Sequence, residues 1–191
     1  MTGEMEARVA AVALIPVEVD PIAELVARGD HRAAIAACAR THHRVLGRLC
    51  MALLGSQADA DEAVQETLLR AHRAMASYRA EGSIKSWLCG IARHVCAHVL
   101  ETRRRGREVL ELVPTEGEAR DAFAARRRAR VLRDALAKLK PSEREALVLR
   151  FVADLDHKDI ASVCGIDEAA ARKRTSRALA RLRAVMPDEE L

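Results

Sequence analysis

From Asp30 to about residue 105, and again in the last third of the chain, apolar residues return at every third or fourth position, and a chain patterned this way buries them together only by winding into helices. In the first long run Ile35, Cys38, Val45, Leu46, Leu49, Cys50 and Leu53 share one stripe, and Gly55 marks its stop. A second run opens at Asp59, whose carboxylate suits an N-cap, with Glu62 where a capping-box partner sits. Its stripe is Ala60, Val64, Thr67, Leu68, Ala71 and Met75, while Asp61, Glu62, Gln65 and Glu66 lie opposite. After the loop Tyr78-Arg79-Ala80-Glu81-Gly82, Ser83 caps a third helix that buries Ile84, Leu88, Ile91, Val95 and Val99. With one Trp, one Tyr and two Phe in the chain, the cores must be built from Leu, Val, Ile and Ala, a set that suits helices better than sheets.

The period lapses from about Gly106 to Asp121, where Pro114 and Gly117 fall, and this stretch reads as a linker. Beyond it Val131, Leu132, Ala135, Leu136 and Leu139 form a stripe that Pro141 breaks, and Ser142 with Glu145 reads as a capping box for the next helix. Two further helices, 156–163 and 168–185, are joined through Cys164-Gly165-Ile166-Asp167. Gly165 can take the left-handed turn conformation and Asp167 can cap the second helix, which is the pattern of a helix-turn-helix. The expected fold is therefore all-α, with two small helical domains joined by a flexible linker and a helix-turn-helix in the C-terminal one. Residues 1–20 are an N-terminal extension, 21–106 the first domain, 107–126 the linker and 127–191 the second domain.

The net charge of +4 is unevenly placed. Arginines cluster at Arg103, Arg104, Arg105 and Arg107, again at Arg126, Arg127, Arg128 and Arg130, and between Arg172 and Arg183, with Glu108, Glu111, Glu116, Glu118 and Asp121 between the first two clusters. Such contrast points to a partner that is a polyanion and to a separately charged connector. The apolar stretch Val9 to Ile15 is shorter than the ~20 residues that cross a bilayer, and it lacks the basic start of a signal peptide. The expectation is a cytoplasmic protein with no membrane insertion. Its five cysteines, without a CxxC pair, are then mostly reduced thiols.

In the last helix Ala171, Thr175, Ala178 and Leu182 share one face and Lys173, Arg177 and Arg181 project from another. The second helix of a helix-turn-helix enters the major groove, so Arg172, Lys173, Ser176 and Arg177 are candidate base or phosphate contacts. The alternative is a solvated basic face.

Three segments carry a resemblance. The stretch from Leu155 to Ile166, continued to Arg183, resembles the promoter-reading helix-turn-helix of extracytoplasmic-function sigma factors of the sigma-70 family. Residues Asp59 to Ala71 match the acidic helix with which such factors grip the polymerase, and Gly82 to Leu88 with Ile91, Ala92 and Arg93 are similar to the segment that recognises and melts the minus-ten element. The three stand in family order and spacing. The resemblance implies a promoter-specific transcription initiation factor, not an enzyme and without a cofactor, whose partners are the bacterial RNA polymerase core, promoter DNA and an anti-sigma factor. It assigns core binding to Asp59, Asp61, Glu62, Gln65, Glu66 and Arg70. It assigns minus-ten contacts to Tyr78, Arg79, Gly82, Ser83, Lys85, Trp87, Arg93 and His94, and minus-thirty-five contacts to Arg172, Lys173, Arg174, Ser176 and Arg177. The sequence departs from the family at Ala169, Ala170 and Ala171, and at His94 and His98, which stand where Asn and Asp are usual.

Two other readings stay open: a stand-alone helix-turn-helix regulator that uses only the C-terminal helices, and a thiol- or metal-responsive variant. For the latter Cys38 with His42 and His94 with His98 each share a helix face, and Cys89 and Cys96 are seven apart. None of these is a standard zinc spacing, so no metal site is expected.

Overall fold

A computed structural model describes residues 21–79, 82–107, 131–132 and 134–186. The proposed linker from 108 onward and the extension 1–20 lie outside the described residues. Helix α1 (Pro21–Ala27) turns at Gly29, whose φ is 75°, and Asp30 caps α2 (His31–Leu54) by accepting from the Ala33 amide at 2.9 Å. At the far end of α2, Gly55 takes a φ of 73° and donates its amide to the Met51 carbonyl at 2.9 Å. That positive φ favours glycine, and it turns the chain at once into α3 (Gln57–Ala74).

Asp59 is not the cap of α3. Ser56 is, its hydroxyl accepting from the Asp59 amide at 3.5 Å. The Gly55 turn leaves one residue before the helix must start, so Asp59 falls in its first turn, where a carboxylate meets the positive end of the helix dipole. After a 3₁₀ turn (Met75–Ser77), Ser83 caps α4 (Ile84–Arg107) by accepting from the Ser86 amide at 3.1 Å. The helix continues through Gly106 into Arg107, one residue beyond the expected boundary, because a glycine costs a helix only about 1 kcal/mol.

Helices α2, α3 and α4 pack against one another around Ala34, Cys38, Leu46, Leu49, Cys50, Ala60, Val64, Ala71, Leu88, Ala92 and Cys96, all buried. Many of these side chains are small, which lets the backbones approach closely. Thr67 is fully buried and returns its hydroxyl to the Ala63 carbonyl at 2.6 Å. No buried side-chain polar atom among the described residues lacks a partner, as a stable interior requires.

The C-terminal half begins with helical residues at 131–132 and 134–137, followed by α5 (Pro141–Leu147), a π-helical turn (Val148–Val152), α6 (His157–Cys164) and α7 (Glu168–Val185). Ser142 and Glu145 do not form the capping box of α5. Pro141, with its preset φ, occupies the first helical position, Lys140 precedes it as N-cap, and the Lys140 amide donates to the Glu143 carboxylate at 3.4 Å. Asp156 and Asp167 cap α6 and α7 by accepting amides at 2.7 Å, and Gly165 between them has a φ of 65°. The helix-turn-helix is thus present as the sequence suggests.

The two halves share one core. Val148, Leu149, Ala153, Leu155, Ile160 and Ala161 join the buried cluster of α2, α3 and α4, while Leu139, Leu147 and Ala178 form a smaller cluster of their own. The π turn packs on α2 and α6 packs on α4. Removing a fully buried leucine from such a seam forfeits both its transfer free energy and the packing around it. Leu88→Ala should therefore destabilise the protein by about 2–5 kcal/mol, read as a lower denaturation midpoint in urea at unchanged slope.

Candidate functional site

The acidic face stands on α3. Asp61, Glu62 and Gln65 are exposed there, and Glu66 is half-buried and accepts from Arg70 Nε at 2.6 Å. The Gln57 amide donates to Asp61 at 2.8 Å. Glu62, Gln65, Glu66 and Leu69 line a cleft of about 420 Å³ whose other wall is Val95, His98 and Val99 of α4. Leu69 is 52% exposed, and the sequence reading passed over it in favour of its neighbour Leu68. The signal was available, since Leu69 lies seven residues after Glu62 and so falls on the same helix face. A large apolar side chain ringed by carboxylates is the anatomy of a docking surface.

Asp59 lines the same cleft and also makes a structural tie. Its carboxylate pairs with Arg103 of α4, which also donates to the Leu54 carbonyl at 3.2 Å, so one guanidinium ties the end of α2 to the start of α3. Hydrogen bonds from the Ser56 hydroxyl and from Arg103 hold the Asp59 carboxyl below the usual carboxylate range.

The second surface surrounds the turn before α4. Tyr78, Arg79, Gly82, Trp87 and His94 line a cavity of about 410 Å³ together with Ser77, Ser86 and Gly90. The Tyr78 hydroxyl donates to the Gly82 carbonyl at 2.8 Å and closes the loop, and the Tyr78 and Trp87 rings lie 5.0 Å apart at 47°. Trp87 is half-buried, with part of its surface on the core and part in the cavity. A polar, aromatic-walled recess of this volume admits a planar base.

Three residues assigned to the same surface point elsewhere. Ser83 donates to Asp159 at 3.3 Å, Lys85 to the Asp154 carbonyl at 2.7 Å, and Arg93 to Glu145 at 2.6 Å. All three acceptors belong to the C-terminal half, and Ser162 and Val163 of α6 form the remaining wall of the cavity. Asp154 holds its carbonyl in place with a φ of 51°, a left-handed conformation that Asp tolerates better than most residues. Two carboxylates and one carbonyl of the C-terminal half thus meet these three donors.

On α7, Lys173, Ser176 and Arg177 are exposed, Arg174 is half-buried, and Arg172 is exposed and paired with Glu168 at 2.6 Å. Arg181 does not join this face: it donates to both oxygens of Glu143 at 2.6 and 2.8 Å. Burial alone would raise the Glu143 carboxyl, but the Arg181 guanidinium and the Lys140 amide outweigh it and leave it lowered.

Cys38, Cys50, Cys89 and Cys96 are buried, and none of the five cysteines is in a disulfide. Burial pushes the Cys89 thiol up to about 12. Cys96 is raised by its hydrogen bond to Cys50 and by burial, while the same bond lowers Cys50. Among the described residues no group of three or more His, Cys, Asp or Glu is arranged to hold a metal ion. Nor is any described helix long and apolar enough to cross a membrane.

Two family models match the chain, sigma-70 region 2 over residues 38–106 and sigma-70 region 4 over residues 129–182. The ECF RNA polymerase sigma factor SigM of Mycobacterium tuberculosis is 32% identical over 151 residues, which span 75% of this chain and 72% of that protein. SigC, an ECF RNA polymerase sigma factor of the same species, is 35% identical over 135 residues, 67% of this chain and 70% of that one. Among solved structures, CnrH in complex with the cytosolic domain of CnrY shares the fold at a TM-score of 0.67 and 23% identity, over 86% of this chain and 94% of that one. RpoE of Bartonella quintana, in a complex with the anti-sigma factor NepR, aligns at a TM-score of 0.55 and 26% identity, over 73% and 88% of the two chains.

The Asp59–Arg103 pair carries a pH signature. A carboxyl lowered in the folded state stabilises the fold fully above its ordinary range near pH ~4, and loses that contribution as pH falls through the folded value. Asp59→Asn should accordingly melt below the native protein at neutral pH, with the gap in Tm closing on acidification; thermal melts across that range check it.

Proposed function

This chain belongs to the extracytoplasmic-function sigma factors of the sigma-70 family, and from that premise we propose how its surfaces divide the work of promoter-specific initiation. The residues matched by region 2 carry the acidic face of α3, and those matched by region 4 carry the helix-turn-helix. The observation that bears most weight is the exposed Leu69 set among Glu62, Gln65 and Glu66. It favours a basic, partly apolar helical partner on the polymerase core, with charge directing the encounter and Leu69 supplying the desolvated centre.

On this reading the cavity framed by Tyr78, Arg79, Trp87 and His94 receives a base extruded from the melted minus-ten element, since pairing edges become readable only outside the duplex. Lys85 and Arg93 follow the phosphates, and Arg172, Lys173, Arg174, Ser176 and Arg177 meet the minus-thirty-five element. Phosphate contacts give affinity and its salt dependence, and base contacts give selectivity. The role is non-catalytic, and its setting is the cytoplasm, where core polymerase and chromosome are met together.

The contacts of Ser83, Lys85 and Arg93 with Asp159, Asp154 and Glu145 turn the minus-ten surface toward the C-terminal half. Promoter reading then requires the two halves to separate, and the same charges pass from carboxylate to phosphate. CnrH and RpoE were solved with the cytosolic domain of CnrY and with the anti-sigma factor NepR, which supports a partner of the anti-sigma kind for this chain as well.

Transcription in vitro with bacterial core polymerase on a promoter library tests the function; absence of promoter-dependent initiation would overturn it. Two substitutions separate the surfaces. Glu66→Lys, or Leu69→Asp, should weaken core binding by about tenfold or more in a pull-down or polarisation titration while circular dichroism stays unchanged. Arg172→Ala with Arg177→Ala should leave core affinity intact, reduce initiation at promoters that depend on the upstream element, and flatten the salt dependence of DNA binding by about two phosphate contacts.

A further inference from the structure

Gly90 stands inside α4, half-buried, and its backbone is helical rather than left-handed, so no turn demands a glycine there. A glycine within a helix is destabilising relative to alanine, and packing does not account for this one. Beyond its own helix backbone, a Cβ placed on Gly90 would meet no atom within 4 Å, whereas one on Gly82 would meet the Ser86 hydroxyl at 3.2 Å. Trp87, Gly90, Ile91 and His94 fall on one face of α4, and all four line the cavity of about 410 Å³. The space that a side chain at position 90 would take is therefore space in that cavity.

We propose that Gly90 is a specificity-determining residue whose missing side chain fits the cavity to a purine of the melted minus-ten strand rather than a pyrimidine, an assignment that rests on the base-receiving role given to this cavity. A helical side chain leans over the turn before its own Cα. Any residue larger than glycine at position 90 would therefore cover the turn that carries Trp87, the aromatic surface on which a base stacks. With Gly90 bare, an open strip runs along α4 from Trp87 to His94, ~10 Å of helix axis. One six-membered ring leaves much of that strip uncovered, whereas the fused rings of a purine extend the stacked plane along it. The exposed imidazole of His94 stands at the far end, where it can hydrogen-bond a base edge. The volume agrees, since cavities of ~300–1,000 Å³ take molecules larger than a one-ring base. Because Trp87, Gly90 and His94 all ride on α4, this floor remains when Ser162 and Val163 leave with the C-terminal half.

Transcription in vitro with core polymerase on a library randomised across the minus-ten element tests it. The native protein should favour a purine at one position of the non-template strand. Gly90→Leu should cut the purine-to-pyrimidine ratio at that position several-fold and leave the other positions unchanged. Gly90→Ala should move the ratio the same way by less, while its Tm rises by about 2–4 °C because alanine favours the helix. A promoter made abasic at that position should serve all three proteins equally, since no base is left to meet the new side chain. A native purine preference that Gly90→Leu leaves intact would overturn the assignment, as would selection of pyrimidines alone, variants that still differ on the abasic promoter, or a lowered Tm in Gly90→Ala, which would give the glycine to packing. A native protein indifferent to every base of the element would overturn the base-receiving role itself, and the assignment of Gly90 with it.

Discussion

Burial of one continuous apolar seam governs the arrangement of this protein. Leu46, Leu49 and Leu88 fill the space between α2 and α4, and Leu149, Leu155 and Ile160 extend the same interior into the C-terminal half. Because these side chains are almost entirely withheld from water, the two halves are held face to face, and every charged surface is placed by that contact. Burial is non-directional, so the seam by itself does not fix register. The Arg93–Glu145 pair does, with side chains 26% and 18% exposed. A partly desolvated pair of this kind adds little net stability, yet it penalises any docking that leaves either charge alone.

The seam also explains the division of charge. On the acidic face of α3, Glu62, Gln65, Glu66 and Leu69 open on a cleft walled by α4, whereas Lys85 and Arg93 of α4 are met by a carbonyl and a carboxylate of the C-terminal half. On the proposed division of the surfaces, the face assigned to the polymerase stays open while Ser83, Lys85 and Arg93 are engaged within the protein. Under the proposed role, a phosphate that replaced Glu145 at Arg93 would conserve the chemistry of the bond, leaving the apolar contact as the main hold between the halves.

The helices were legible because their signals are local. The stripe from Ile35 to Leu53, the left-handed stop at Gly55, the Ser83 cap and the Gly165 turn with Asp167 each depend on a few neighbouring residues, and each stands as read. Where two residues compete for one local role the sequence misleads. Asp59 has a better capping side chain than Ser56, but the turn at Gly55 starts the helix earlier; Ser142 and Glu145 spell a capping box, but Pro141 had already begun the helix. Arg181 shows the same limit, since its helix face suits DNA and its partner Glu143 lies 38 residues away.

The sequence by itself determined an all-helical chain, the identity of its family and the helix on which each charged group rides, because period, caps and turn residues act within a few positions. Only the tertiary structure decided which of those charges face solvent. That choice depends on contacts such as Ser83 with Asp159 and Arg93 with Glu145, between residues 76 and 52 positions apart. No short-range pattern encodes such a meeting, since it follows from how two buried faces match in shape once the helices exist.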